Sequence, residues 1–253
     1  MAQLKGDERA RYVTEMFARI SRRYDLMNSV MSGGRHYAWR HMATEMAVEG
    51  LRGRALDVAT GTGDFAFDLA RRPEVTSVVG LDFTREMMEL GLPKAARQGI
   101  ESSVSFTEGD AHDLPFPDDS FICATVGFGI RNFIDVPRAL SEMARVVEPG
   151  GRVVSLEIVR QDGKGPISRL ARFHFRYITP WIGGTLAGDR EAYTYLPQSA
   201  QGFMSASELA EAMRDAGLVA VTTRKLALGT VAIHVGLKPQ ARRVPSLSTG
   251  SQG

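Results

Sequence analysis

The strongest structural signal in this 253-residue chain is Leu56-Asp57-Val58-Ala59-Thr60-Gly61-Thr62-Gly63-Asp64. This stretch predicts a buried strand, then a glycine-rich turn, then the start of a helix. Gly61 and Gly63 let the backbone bend sharply and approach a ligand closely. A second apolar run ends at Asp82, 19 residues after Gly63. This spacing is typical of a βαβ nucleoside site, in which the turn holds the ligand and the acid binds the ribose hydroxyls.

The turn by itself leaves the ligand open. Residues 61–66 also fit the glycine-x-glycine-x-x-alanine pattern of nicotinamide and flavin domains. Acids at the ends of the predicted strands favour S-adenosylmethionine instead, because they repel a pyrophosphate and attract a sulfonium. Asp57 precedes the turn, where it can meet the charged amino-acid end of the ligand, and Asp110 follows the third strand, where it can hold the adenine amine beside the N–H of Ala111. Helix capping explains any one of these acids but explains the set poorly.

Composition places the chain among ordinary globular proteins. It is 43% hydrophobic and 24% charged, which suits one domain with an insertion. The net charge of +2 predicts no nucleic-acid partner. The single cysteine, Cys123, lies in an apolar run, which predicts a core residue and a reducing compartment. The polar N-terminus shows no signal peptide, and no apolar run approaches the roughly 18 residues of a spanning helix. We therefore expect a cytoplasmic protein whose membrane role, if any, is peripheral.

From Arg54 the chain alternates strand and helix, which predicts an α/β fold with a doubly wound, mostly parallel sheet. Pro149-Gly150-Gly151 predicts a tight turn before the fifth strand, and Ser205 with Glu208 predicts a capping box on a helix that Gly217 ends. Two last strands form an antiparallel hairpin, so the sheet is seven-stranded and Rossmann-like, as in methyltransferases. The predicted strands are 54–59, 76–82, 103–108, 121–127, 152–159, 218–227 and 230–237, with helices at 64–72, 84–97, 136–147 and 205–216.

The predicted domain organisation is a single methyltransferase domain over residues 1–238. Within it, residues 12–40 form an N-terminal substrate and lid segment, and residues 160–204 form a lid insertion rich in proline and aromatics. Residues 239–253 are rich in Pro, Ser, Gly, Gln and Arg, which predicts a disordered tail.

Two stretches resemble one family. Residues 24–39 contain Tyr24-Asp25-Leu26-Met27-Asn28, then a serine, His36 and Trp39 at the right spacing, and match the N-terminal motif of the ubiquinone/menaquinone biosynthesis C-methyltransferases at every fixed place. These enzymes use S-adenosylmethionine to methylate the ring of a polyprenyl quinol. Residues 145–157 match a second motif less well, since the family usually has lysine in place of Glu148 and serine in place of Val159. The resemblance extends over about residues 12–238 and includes residues 127–132 and 191–199.

The resemblance implies cofactor contacts by Thr62, Asp82, Asp110 and Ala111. The family often has a serine where Gly127 stands, so only a backbone contact is expected there. The full set of predicted cofactor-binding residues is Asp57, Gly61, Thr62, Gly63, Asp82, Phe83, Asp110, Ala111 and Gly127. No metal site is predicted.

The chemistry predicts a second set of residues. A ring carbon becomes nucleophilic when a neighbouring hydroxyl loses its proton. A phenol with a pKa of about 10 is rarely ionised at neutral pH, so the site should supply a base, a positive charge beside the phenolate, or both. The resemblance implies a catalytic role for Arg131, which we interpret as a phenolate stabiliser with Asn132 as its orienting partner. The alternative is a surface arginine paired with Asp135. His36 is the best base on intrinsic pKa, although a lone histidine is often structural. Further candidates for proton handling are Asp25 and Tyr24.

The substrate of such an enzyme is a lipid. Four aromatic residues either line an apolar slot for this lipid or pack in the core: Trp39, Phe65, Tyr193 and Tyr195. The basic, aromatic stretch 169–177 is either a membrane-surface element at the inner face of the cell membrane or an ordinary lid helix. A homodimer is a further expectation.

The predicted function is therefore methylation of demethylmenaquinol in menaquinone biosynthesis. The alternatives are C-methylation of 2-methoxy-6-polyprenyl-1,4-benzoquinol in ubiquinone biosynthesis and methylation of a soluble aromatic metabolite. Two alternatives come from other function classes: a nucleoside-binding module without catalysis, and a nicotinamide oxidoreductase.

Overall fold

A computed structural model describes residues 31–161 and 199–240, together with residues 15, 16, 19, 28, 29 and 165. Its seven strands form one sheet in the order β3-β2-β1-β4-β5-β7-β6. The strands are β1 (Gly53–Val58), β2 (Val75–Asp82), β3 (Val104–Glu108), β4 (Phe121–Gly127), β5 (Val147–Ile158), β6 (Val219–Leu226) and β7 (Val231–Leu237). The helices are α1 (Arg35–Val48), α2 (Asp64–Ala70), α3 (Arg85–Arg97), α4 (Val136–Val146) and α5 (Ala206–Asp215).

The sheet is parallel from β3 to β5 and ends in an antiparallel hairpin. β1 is an interior strand, paired in parallel with β2 on one side and with β4 on the other. β7 runs antiparallel to both β5 and β6. Strands that are buried on both faces appear in the sequence as continuous apolar runs, as the fully buried residues 121–126 show. The predicted doubly wound sheet with a terminal hairpin is confirmed.

Helix boundaries follow local chemistry. The Asp135 side chain accepts a hydrogen bond from the Arg138 amide at 3.0 Å and begins α4. Ser205 and Glu208 form the predicted capping box of α5, with Ser205 accepting from the Glu208 amide at 3.3 Å. Gly217 follows this helix with φ +87°, a conformation that glycine adopts without strain. Cys123 is fully buried in the core, as predicted.

The predicted turn at residues 149–151 is wrong, because the strand already begins at Val147. Gly150 donates its amide to the Lys238 carbonyl at 2.9 Å, and Lys238 donates to the Gly151 carbonyl at 2.9 Å. The register against β4 moves from Phe121↔Val147 to Cys123↔Arg152, so the extra residues form a bulge. Pairing with the chain after β7 therefore keeps this Pro-Gly-Gly segment in the sheet.

Helix α1 was missed by the sequence analysis. Its buried face combines small apolar residues, Ala43 and Ala47, with the polar side chains of His36, Arg40 and Thr44. Because the periodic positions are not consistently apolar, the sequence shows little amphipathic pattern there.

Several predictions fall outside the described residues. They concern Tyr24, Asp25, Tyr193, Tyr195, the stretch 169–177, most of the insertion 160–204 and the tail beyond residue 240. Within the described ranges, no helix is long and apolar enough to cross a bilayer.

Candidate active site

The carboxyl ends of β1, β2 and β4 meet at one edge of the sheet, and two pockets open there. They share four wall residues, Ala59, Gly61, Gly127 and Phe128. The first, which we call the β2-side pocket, adds Asp82, Phe83, Thr84, Met87 and Asn132 among others. The second, the α1-side pocket, adds His36, Arg40, Asp57, Thr62 and Phe65 among others.

The turn after β1 separates the two pockets. Gly61 and Gly63 have φ values of +57° and +86°. A Cβ on Gly63 would lie 2.6 Å from Phe67 Cζ and 2.9 Å from Phe106 Cζ, so the turn requires glycine for space as well as for conformation. Gly61 donates its amide to Asp82 Oδ2 at 2.8 Å, which ties the turn to the end of β2.

Asp82 is a buried acid with a defined orientation. Besides the Gly61 amide, its carboxylate accepts the Thr84 amide at 2.8 Å. Burial raises the pKa of Asp82 above its ordinary value, against the effect of these hydrogen bonds. Phe83, the next residue, is 39% exposed and lines the same pocket. A carboxylate at a pocket wall beside an exposed aromatic ring suits a ligand with hydroxyls and a flat base.

Asp57 is held differently, by two hydroxyls. Thr60 Oγ1 donates to Oδ2 at 2.6 Å and Thr125 Oγ1 donates to Oδ1 at 2.7 Å. Burial raises the pKa of this carboxyl to about 7, although these hydrogen bonds and the positive charge of Arg40 lower it. Asp57 therefore exchanges its proton near neutral pH at the wall of the α1-side pocket.

Asp110 and Ala111 lie on the loop after β3, and neither is among the described residues that line the two pockets. Gly109 keeps this loop beside β2 by donating to the Asp82 carbonyl at 3.0 Å. The Asp110 carboxylate accepts from the His112 amide at 2.9 Å and contacts His112 Nδ1 at 2.5 Å. Burial raises the pKa of Asp110, but the bonds to His112 outweigh burial, so it lies below its usual value. The cofactor contacts of Asp110 and Ala111 stay predictions.

The packing around Gly127 leaves no room for the serine that the family often has at this position. A Cβ at this position would lie 2.8 Å from Cδ1 of Phe65, and both residues line the α1-side pocket. The phenyl edge thus fills the volume that a serine side chain would need. The expectation that only backbone contacts remain at Gly127 agrees with this packing.

Arg131 is buried in a salt bridge. Its Nη1 lies 2.7 Å from Oε1 of Glu157 and also donates to the Phe128 carbonyl, and the Arg131 amide donates to Oε2 of Glu157 at 3.2 Å. The two side chains are only 4% and 0% exposed. The alternative of a surface arginine paired with Asp135 is therefore wrong, because Asp135 instead caps α4.

Asn132, the neighbour of Arg131, does line the β2-side pocket. Its amide donates to the Gly129 carbonyl at 2.9 Å within a single turn of 3₁₀ helix. The Arg131–Glu157 pair holds this turn against the sheet, because Glu157 lies in β5, an interior strand between β4 and β7.

His36 lies at the wall of the α1-side pocket and is nearly fully buried. Ser32 Oγ donates its proton to the Asn28 carbonyl at 2.7 Å and lies 2.8 Å from His36 Nδ1. Since that proton is used, we assign Nδ1–H as the donor to Ser32, which leaves the lone pair on Nε2. Trp39 is half-buried and packs against the core around β4 and β5.

Sequence analysis missed four residues of the site: Arg40, Thr60, Thr125 and Glu157. Arg40 follows Trp39 in the N-terminal motif, but helix α1 was not predicted, so nothing directed its side chain to the pocket. Thr125 reaches Asp57 only through the pairing of β1 with β4, in which the two residues lie opposite each other. Thr60 bonds Asp57 locally, within the turn that follows β1.

A family model described as the ubiE/COQ5 methyltransferase family matches residues 3–238. The chain belongs to this family. It is an S-adenosylmethionine-dependent methyltransferase.

Similar proteins agree with this assignment. The demethylmenaquinone methyltransferase of Roseiflexus castenholzii is 45% identical over 92% of this chain and 95% of its own length. The ubiquinone/menaquinone biosynthesis C-methyltransferase UbiE of Desulfotalea psychrophila is 42% identical over 89% of this chain and 90% of its own length. A solved SAM-dependent methyltransferase of Thermotoga maritima, described as a possible histamine N-methyltransferase, has the same fold with a TM-score of 0.60, at 21% identity over 88% of this chain and 99% of that one.

The pockets of this methyltransferase fit its cofactor. Gly61 carries no side chain into the shared wall, which leaves its backbone open to a ligand. Asp82 offers a fixed carboxylate on one side of the turn, and Asp57 offers a second on the other. A ligand with a ribose at one end and an ammonium group at the other matches this arrangement of charge.

Cofactor affinity of the methyltransferase should depend on pH through Asp57. Because the pKa of the free protein's Asp57 is about 7, most molecules carry a neutral acid at pH 6 and a carboxylate at pH 8. S-adenosylmethionine is cationic, so it binds the ionised form better, and its Kd should rise about tenfold from pH 8 to pH 6. Isothermal titration calorimetry across this range measures the effect.

Asp57→Asn is the control, since it should give a flat profile with weak binding throughout. The stability of the free protein should change in the opposite direction. The folded pKa is above the ordinary value of 3.8, so the stabilising contribution of protonated Asp57 is lost as the pH rises through 7. An equally steep affinity profile in Asp57→Asn would assign the titration to another group, such as His36.

Proposed function

We propose that this methyltransferase transfers the methyl group of S-adenosylmethionine to a ring carbon of demethylmenaquinol. The observation that carries this proposal is the 45% identity with a demethylmenaquinone methyltransferase over nearly the full length of both chains. The relative named for both quinone pathways is 42% identical, and methylation of a methoxy-benzoquinol is therefore the second candidate.

The cofactor supplies an activated methyl group when it is bound. We assign the ribose to Asp82 and the flat base to the wall that includes Phe83, because both line the β2-side pocket. Asp110 and Ala111 are proposed to reach the base from the loop after β3. The turn Gly61-Thr62-Gly63 and Gly127 contribute close backbone contacts, and Asp57 contacts the amino-acid end. In this arrangement the sulfonium lies near the shared wall, between the two pockets.

His36 is our candidate for the base that takes the quinol proton. A phenolic hydroxyl with a pKa of about 10 ionises about once in a thousand at pH 7, which costs about 4 kcal/mol. His36 lies at the wall of the α1-side pocket, where an imidazole is the side chain best suited by its ordinary pKa to accept that proton. Tyr24 and Asp25 belong to the same motif and remain candidates for this step.

Arg131 takes a positioning role in this proposal. Glu157 neutralises its charge within the core, so a phenolate in the pocket gains little from it. Within this turn, Asn132 is the residue that lines the pocket. Its side-chain amide can orient the methyl acceptor there.

The lipid nature of a polyprenyl quinol suggests where the enzyme works. We propose that it acts at the inner face of the cell membrane. We also propose a homodimer.

Methyl transfer from labelled S-adenosylmethionine tests the proposed substrate. A reduced short-chain demethylmenaquinone and the reduced methoxy-benzoquinone are offered separately to the purified enzyme. We expect methylation of the naphthoquinol, with a kcat/KM at least about tenfold above that of the benzoquinol, a difference of about 1.4 kcal/mol in transition-state binding. Equal rates on both would instead support an enzyme of both pathways. Cofactor binding without transfer to either quinol would contradict the proposal and favour a soluble aromatic acceptor.

A further inference from the structure

Arg40 is a buried cation at the wall of the α1-side pocket. It projects from α1 toward α2, where its Nε lies 2.6 Å from Asp68 Oδ2 and its Nη1 lies 3.4 Å from Asp64 Oδ2. Its guanidinium carbon also lies 5.4 Å from the centre of the Tyr37 ring. The side chain is thereby held in one orientation beside the pocket.

Other cations share the acids that hold Arg40. Lys94 lies 2.6 Å from Asp64 and Arg71 lies 3.0 Å from Asp68, so each of these two carboxylates bonds a second cation besides Arg40. A shared carboxylate compensates the burial of the guanidinium less fully than a dedicated partner would, and a ligand anion at the pocket wall can add to that compensation.

The geometry of the guanidinium allows such an anion to bind. Arginine has five N–H donors in a planar fork. Among the described residues its two ion pairs engage Nε and Nη1, which leaves the donors of Nη2. Asp57 lines the same pocket and feels the positive charge of Arg40. One acid and one cation with spare donors thus border a single pocket, an arrangement that complements a zwitterion.

We propose that Arg40 binds the carboxylate of the cofactor's methionine moiety, while Asp57 binds its ammonium group. Arg40 is then a cofactor-binding residue, which none of the sequence motifs indicated. The assignment rests on the proposed placement of the amino-acid end in the α1-side pocket. It also makes α1, and with it the N-terminal motif, part of the cofactor site.

Ligands that differ by one group test this assignment. The probes are S-adenosylhomocysteine, its analogue without the carboxylate (S-adenosyl-3-thiopropylamine), and methylthioadenosine, which lacks the whole amino-acid portion. Arg40→Gln should raise the Kd of S-adenosylhomocysteine about 10- to 100-fold, the range for a lost hydrogen bond between charged groups. The same change should alter the Kd of the other two ligands by less than about threefold. Calorimetry on the full chain measures all three.

Arg71→Gln is the matched control, because Arg71 shares Asp68 with Arg40 but is not among the described residues that line the α1-side pocket. It should leave all three affinities unchanged. Arg40→Lys keeps the charge and should recover part of the lost affinity for S-adenosylhomocysteine. The decisive quantity is the ratio of the Kd values of two ligands on the same variant, which partial unfolding does not change.

Equal losses for S-adenosylhomocysteine and the decarboxylated analogue in Arg40→Gln would overturn the assignment and make Arg40 a structural residue. Unchanged affinity for all three ligands, or a wild-type protein that does not distinguish the first two, would overturn it as well. Discrimination that depends on Arg40 supports the assignment even if neither quinol is methylated, so a wrong acceptor and a wrong role for Arg40 give different results.

Discussion

Replacement of Asp82 by alanine should raise the Kd of S-adenosylhomocysteine about 100- to 1,000-fold, a loss of about 3–4 kcal/mol. Two effects combine in this variant. The amides of Gly61 and Thr84 lose their carboxylate acceptor, so the turn between the pockets is no longer held. The proposed hydrogen bonds to the ribose hydroxyls disappear at the same time. Isothermal titration calorimetry with the purified variant gives the Kd directly.

Two further variants separate these effects. Asp118→Ala removes an exposed carboxylate that pairs with Arg145 outside the described walls of both pockets, and should leave the Kd unchanged. Asp82→Asn keeps one carbonyl oxygen for the amides and should lose less affinity than Asp82→Ala. A change below about threefold in Asp82→Ala would show that the cofactor does not use this acid.

Arg131→Ala should lower the free energy of unfolding by about 3–5 kcal/mol, because it leaves the carboxylate of Glu157 buried without its cation. For a chain of this size such a loss lowers Tm by roughly 6–20 °C. The affinity for the cofactor should change little in the fraction that is folded, since Arg131 is not among the described residues that line the pockets. Urea denaturation followed by circular dichroism measures the stability.

A double variant separates the structural role of Arg131 from a chemical one. Replacing both partners, as in Arg131→Met with Glu157→Leu, removes both charges and should restore much of the stability. Arg85→Ala is the matched surface control, since its pair with Glu89 is well exposed and its loss should cost less than about 1 kcal/mol. If Arg131→Ala kept its stability but lost turnover by more than about 100-fold, the positioning role would be wrong and direct stabilisation of a phenolate would be favoured.

Much of the architecture could be predicted from local patterns. Apolar runs of strand length, the glycines at 61 and 63, and the capping box at Ser205 and Glu208 each depend on residues close together in the chain. Their outcomes agree with the structure to within a few residues. Helix α1 and the bulge at residues 149–151 could not be predicted in this way, because the first buries polar side chains and the second depends on pairing with Lys238.

In the candidate site, too, residues marked by local sequence patterns could be predicted, and partners that are distant in the chain could not. Asp57 and Asp82 were identified because each lies at the end of a predicted strand, and parallel strands present those ends at one edge. The partners of Asp57 were not identified, since Thr125 lies 68 residues away and reaches it only through the β1–β4 pairing. Gly127 could be recognised as a departure from the family, but not as a consequence of Phe65.

The amino-acid sequence by itself determined the fold class, the approximate positions of the strands with their terminal hairpin, and the position of the glycine turn, because these follow from periodicity and backbone conformation over short distances. Only the tertiary structure decided what each charge does. Arg131 became a buried partner of Glu157, and Arg40 became part of the wall of the α1-side pocket. The physical reason is that the effect of a charge depends on its burial and on its neighbours in space, and contacts between β1, β4, β5 and α1 set both.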